Sequence, residues 1–264
     1  MHPIERLRWI ARAEGESATT IATEAAWTLG ELGAADPAAV LTASRRLVER
    51  HPGCGPLWWV CAHMLPSGDP YETAQTVTAT LMSDTVPDRV ADALRASFTS
   101  SDVLVATAPV DLVRQALARR GTYHLRLVAD YSWLRHATRE LGTVVDDLTS
   151  WEGGEAERAL EGASALLVEP CLASVSGLLV EPASGAAVEM AVEMGVPVWA
   201  LLGTGVVLPQ GLADFAAELT GEDLELLEPD LFAWAVDESG QGEIEPVLAR
   251  VACPPGMELV HRFV

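Results

Sequence analysis

The chain has 264 residues, 49% of them hydrophobic, enough for one large domain or two modest ones with a substantial core. Its formal net charge is −21, from 38 acidic and 17 basic residues, and every basic residue is Arg. That balance excludes a nucleic-acid partner, which needs clustered cations, and argues against an anionic membrane surface; without Lys there is no Schiff base and no lysine for a phosphate.

No apolar stretch is long enough to span a bilayer. The first residues, "MHPIERLRWIARAEGES", lack the apolar core of a signal peptide, so a cytoplasmic protein is expected. Cys54, Cys61, Cys171 and Cys253 form no CxxC pair and no HExxH occurs. Neither a metal site nor a disulfide is expected.

Helical signals fill residues 1–97. "SATTIATEAAWTLGELG" places Ile21, Ala25, Leu29 and Leu32 on one face. "DPAAVLTASRRLVER" opens with Asp36 as a cap and Pro37 in the first turn. A short apolar helix in "HPGCGPLWWVCAHMLPSGDP" follows, then helices in "PYETAQTVTATLMSD" and "VPDRVADALRASF".

Near Ser100 the period changes. "SDVLVATAP", "YHLRLVAD", "TVVDD", "SALLVEP" and "VPVWALLG" read as strands. Between them lie helices in "VDLVRQALARRG", "YSWLRHATRELG", "GGEAERALEGA" and "GAAVEMAVEMG", three of which close on Gly. This alternation predicts an α/β fold, a parallel sheet with helices on both faces. The tail, "DLFAWAVDES" and "EIEPVLARV", fits two edge strands or a strand and a loop.

The pentapeptide LLVEP occurs at 166–170 and again at 178–182. The first copy reads as a buried strand, with Glu169 at its carboxyl end. "CLASVSG" reads as a small-residue turn, and the second copy leads to a helix with Ser184 as its cap. Ligands on parallel sheets bind beyond the strands' carboxyl ends. Thr107, Asp130, Glu169 and Cys171 lie at such ends, followed by Ser174, Ser176 and Gly177. "LLGTGVVLP" adds Gly203, Thr204 and Gly205 as a ligand-facing loop or a plain strand exit. "ATAPVDL" lacks GxGxxG, so no dinucleotide cofactor is expected.

The order strand, small turn, strand, small loop, helix, Gly and strand, "VEPCLASVSGLLVEPASGAAVEMAVEMGVPVWAL", resembles the initiation factor 2B alpha/beta/delta subunit family. That family includes methylthioribose-1-phosphate and ribose-1,5-bisphosphate isomerases. The resemblance implies a helical domain over 1–97 and a Rossmann-like domain over 98–264. It also implies pairing with a second copy, for which residues 188–236 are the expected interface.

The departures fall on the chemistry. In the register through Gly177, the family's catalytic Asp falls at Cys171, its Asn-Lys at Glu181-Pro182, and the Arg of its Arg-Pro pair at Gly55. Isomerisation needs an acid/base pair and cations for phosphate. Two readings follow. One is a binding or regulatory protein with a degenerate sugar-phosphate isomerase site and a small polar ligand. The other is an enzyme on a sugar- or nucleoside-like molecule, using Asp130, Glu169, Cys171 or Glu181. A subunit of a hetero-oligomer is a third class.

Overall fold

The computed structural model describes residues 2–13, 15–119 and 123–260. Six helices come first: α1 (Pro3–Ile10), α2 (Ala18–Ala35), α3 (Pro37–Arg50), α4 (Gly55–Met64), α5 (Pro70–Met82) and α6 (Val86–Ser97). Their starts follow local chemistry. Ser17 Oγ accepts the Thr20 N–H, Asp36 Oδ1 that of Ala38, and Asp69 Oδ1 those of Tyr71 and Glu72. The helix α1 lies in the expected helical region, ahead of the first helix that the sequence pattern delimits.

Strands and helices then alternate: β1 (Val103–Thr107), α7 (Asp111–Arg119), β2 (His124–Ala129), α8 (Tyr131–Leu141), β3 (Leu148–Glu152), α9 (Ala156–Leu160) and β4 (Ala165–Val168). The Gly expected to close α7, Gly121, lies outside the described residues. The third strand begins beyond "TVVDD". There the amides of Val144 and Val145 donate to Leu141 O, which ends α8 and takes those two donors from the ladder. Val145 is buried in the core instead.

A hairpin follows, β5 (Leu172–Ser174) and β6 (Gly177–Val180), then α10 (Pro182–Met194), β7 (Val198–Leu201), α11 (Gln210–Thr220), β8 (Glu225–Leu227), β9 (Trp234–Asp237), β10 (Gly240–Gly242) and α12 (Ile244–Leu248). The main sheet runs β10-β9-β7-β4-β1-β2-β3, with β10 its antiparallel edge and the other pairings parallel. The chain winds outward from β1 in both directions. The winding therefore reverses between β1 and β4, where crevices form in such sheets.

The two LLVEP copies part company. The first is in β4; the second is in β6, within a separate antiparallel sheet of order β5-β6-β8. "CLASVSG" holds a strand and a tight turn. At Gly177, φ is +150°, and a Cβ would lie 2.6 Å from Leu227 O, so glycine alone fits. "EIEPVLARV" forms α12, not an edge strand or loop: Pro246 falls in the first helical turn, where its missing N–H costs nothing.

Side chains alternate as a pleated sheet requires. Leu104, Ala106, Leu167, Trp199 and Leu201 pack with α6, α7 and α8. Val105, Leu166, Val168, Val198 and Ala200 pack with α9, α10 and α12. A third core joins α1–α5 to α11 and the β5–β6 hairpin, around the buried Trp58. Thus α6 belongs to the sheet's core although it precedes the expected boundary at 97/98. The span 188–236 carries exposed apolar side chains at Val192, Met194, Leu226 and Trp234.

The helical layer meets the sheet edge by close backbone contact. Gly55 N–H donates to Cys171 O at 3.1 Å. Gly205 has φ +80°, and a Cβ there would stand 3.1 Å from Pro56 Cα and from Trp59 Cβ. We expect Gly205→Ala to destabilise the protein by about 1–3 kcal/mol, the cost of a left-handed non-glycine residue. Urea unfolding with an unchanged slope measures this; an unchanged midpoint would contradict it.

Candidate functional site

Between the helical layer and the carboxyl edge of the sheet lies a cleft of about 1030 Å³. This is the size of a small-molecule site. Among its walls are α7 and α8 residues, the turn after β4, the loop after β7, and the segment 15–24 with the α2 N-terminus.

Glu169 is the most constrained polar group there. It follows β4 directly and is 6% exposed. Its Oε1 accepts the Val113 N–H at 2.8 Å, in the first turn of α7. Burial pushes its carboxyl up to about 8, opposed by the Val113 N–H and reinforced by the charge of Asp111. Asp111 is itself raised, by burial first, while Arg114 and His136 pull it down. Two neighbouring carboxyls thus differ in environment, one bonded to a helix start and the other beside Arg114, His136 and Glu140.

Cys171 also faces the cleft. Burial pushes its thiol up to about 12, with Glu181 and Cys54 adding to the rise. A thiol so placed is neutral and a poor nucleophile at neutral pH. Glu181 is raised by burial, then by Asp130 and Asp223. Its neighbourhood is therefore acidic.

Of the residues singled out from sequence, Glu169, Cys171, Glu181, Gly203 and Thr204 line the cleft. The Thr204 N–H is held by Asp84 Oδ2 at 3.3 Å. The other seven lie off its wall. Thr107 is fully buried, its hydroxyl without a partner among the described residues. Asp130 is exposed at the end of β2. Ser174 Oγ accepts the Ser176 N–H in the hairpin that Gly177 completes. Ser184 is not a cap: α10 starts at Pro182, so Glu181 takes that position, and the buried Ser184 Oγ donates to Ala108 O at 3.0 Å. Gly205 packs against the helical layer.

Sequence reading missed Asp111, Arg114 and Glu140, which line the cleft with His136. Arg114 Nε lies 3.8 Å from Glu140 Oε2, and Arg119 Nε 2.7 Å from Asp88 Oδ1. A signal was present: Asp111 and Arg114, three apart, open the helix after the first strand, and His136 and Glu140 are one turn apart on the next helix. Among the described residues no group of three or more His, Cys, Asp or Glu is set to hold a metal. No described helix is long and apolar enough to cross a membrane.

The raised carboxyl of Glu169 has a defined effect on stability. Its folded value lies above its ordinary one, so the folded state binds the proton more tightly. Its contribution is fully present below the ordinary carboxylate range and is lost as pH rises through about 8. Wild type should therefore weaken relative to Glu169→Gln between about pH 5 and 8, by up to roughly 1 kcal/mol per pH unit. Urea midpoints of both proteins across that range measure it; parallel curves would show a carboxyl that titrates normally.

No protein-family model matches the chain, and no curated protein sequence matches it. Solved structures do. The tetrameric eIF2B-beta2-delta2 complex from C. thermophilum contains a chain matching at TM-score 0.70 and 14% identity, over 94% of this chain and 93% of that one. The Pyrococcus horikoshii OT3 translation initiation factor eIF-2B matches at 0.73 and 11%, over 93% and 98%. The 5-methylthioribose 1-phosphate isomerase of the same organism matches at 0.62 and 12%, over 94% and 86%. Across nearly its whole length, this chain has the fold shared by initiation factor eIF2B subunits and 5-methylthioribose 1-phosphate isomerase.

Proposed function

We propose that this chain is a binding or regulatory protein on the eIF2B-type fold, cytoplasmic and paired with a second copy of itself. Its cleft takes a small polar ligand that carries no phosphate. The supporting observation is the charge of the position where the resemblance places an Asn-Lys pair. Glu181 stands there, with Asp130 and Asp223 raising its proton affinity further. The Asp that would move the proton is replaced by Cys171, a neutral thiol. At the positions the resemblance assigns, isomerisation of a sugar phosphate thus lacks both its acid/base group and its cation.

A second reading, an enzyme on an unphosphorylated sugar- or nucleoside-like molecule, draws on Asp111 and Glu169. Neighbouring carboxyls held in different environments divide acid and base roles in many active sites. On that reading Glu169 supplies the proton and Asp111 removes one.

One set of experiments separates these outcomes. Methylthioribose-1-phosphate and ribose-1,5-bisphosphate should not be turned over, nor should they raise the melting temperature. Within a panel of unphosphorylated pentoses and nucleosides, at least one member should raise it. Light scattering of the same sample should report a dimer or larger. Isomerase turnover abolished by Cys171→Ala would overturn the proposal, and a monomer would remove the pairing. Conversion of a panel member, lost in both Glu169→Gln and Asp111→Asn, would establish the second reading.

A further inference from the structure

We infer that Glu169 is a tethered occupant of the first turn of α7, and that by holding those N–H groups it sets the cleft against phosphorylated ligands. The inference rests on the proposed preference for an unphosphorylated ligand and supplies its physical cause.

The first amides of a helix have no partner within the helix. In an open parallel sheet, the helix that follows the first strand presents them at the crevice, where phosphates commonly bind. Here those donors are engaged. Val113 N–H donates to Glu169 Oε1 at 2.8 Å. The carboxyl is delivered from β4, which is paired to β1 through Leu104–Ala165, Val105–Leu166 and Ala106–Leu167. Glu169 is the residue after the last β4 position, so its backbone is fixed by the sheet itself. With 6% exposure, it has been withdrawn from water into a protein-lined space.

The carboxyl therefore competes with an external anion on favourable terms. It carries no association cost, because the chain has already placed it. An incoming phosphate would have to displace it and then face Asp111 in the same turn. The arginines lining the cleft are already engaged, Arg114 3.8 Å from a Glu140 oxygen and Arg119 2.7 Å from an Asp88 oxygen. No Lys exists to redress the balance. Occupancy of the donors is what matters, more than the charge of the occupant. A protonated or amidated side chain still offers an oxygen to Val113 N–H.

Inorganic phosphate is the probe, titrated calorimetrically into wild type, Glu169→Gln and Glu169→Ala. Val113 amide shifts locate any binding. Wild type and Glu169→Gln should bind no phosphate at α7. Glu169→Ala, which vacates the donors, should gain affinity by about tenfold or more, the scale of a charge at a helix terminus. Should Glu169→Ala not fold, Glu169→Ser vacates the same donors and carries the same expectation. A folded Ala or Ser variant that stays blind to phosphate overturns this inference and leaves the proposed function standing. A gain in Glu169→Gln equal to that in Glu169→Ala overturns it too, since charge and not occupancy would then decide. Phosphate binding to wild type at Val113 overturns both.

Discussion

A buried carboxyl on the first turn of α7 constrains the rest of this molecule. Glu169 comes from β4 and α7 follows β1, so the bond between Glu169 and Val113 crosses the line where the sheet's winding reverses. It ties the end of β4 to the helix that follows β1. The helical layer is then laid over that edge, through the Gly55 bond to Cys171 O and the tight approach of Gly205 to Pro56 and Trp59. The cleft is the space left between these ties. Its shape is set by backbone contacts, and its character by the acidic side chains that surround Glu169.

Three separate cores hold this frame. Alternation along β1, β4 and β7 sends one set of side chains to α6–α8 and the other to α9, α10 and α12. The third core packs α11 and the β5–β6 hairpin with the helical layer. Leu172 and Leu179 of that hairpin point into the helices, whereas Ala173 and Leu178 belong to the sheet's core. The hairpin is thus the wedge between the layers. Its turn requires Gly177, so the small residues of "CLASVSG" also form the joint between the layers.

Much of the architecture was legible because period and caps are local. Asp36-Pro37 marked a helix start, and Gly195, left-handed at φ +72°, closed α10 as expected. What failed was not local. The third strand moved past "TVVDD" because the α8 terminus consumed its amides. The second LLVEP left the parallel sheet because its partners are Leu172 and, nearly fifty residues later, Leu226. The site shows the same division. Glu169 and Cys171 were readable from their place after a strand. Thr107, Ser184 and Gly205 share that edge yet turn into packing. Asp111, Arg114, His136 and Glu140 enter the cleft from helix faces; their spacing is visible in the sequence, but the docking of two helices is what brings them together.

The likeness to eIF2B subunits and to an isomerase establishes how the chain folds, while the inferred exclusion of phosphate from α7 rests on the occupied helix start. A crystal structure grown in concentrated phosphate tests that claim most directly. The account predicts Glu169 in place, its carboxyl on Val113 N–H, with no oxyanion at the first turn of α7. Phosphate bound to that turn, with Glu169 swung out of the cleft, would contradict it.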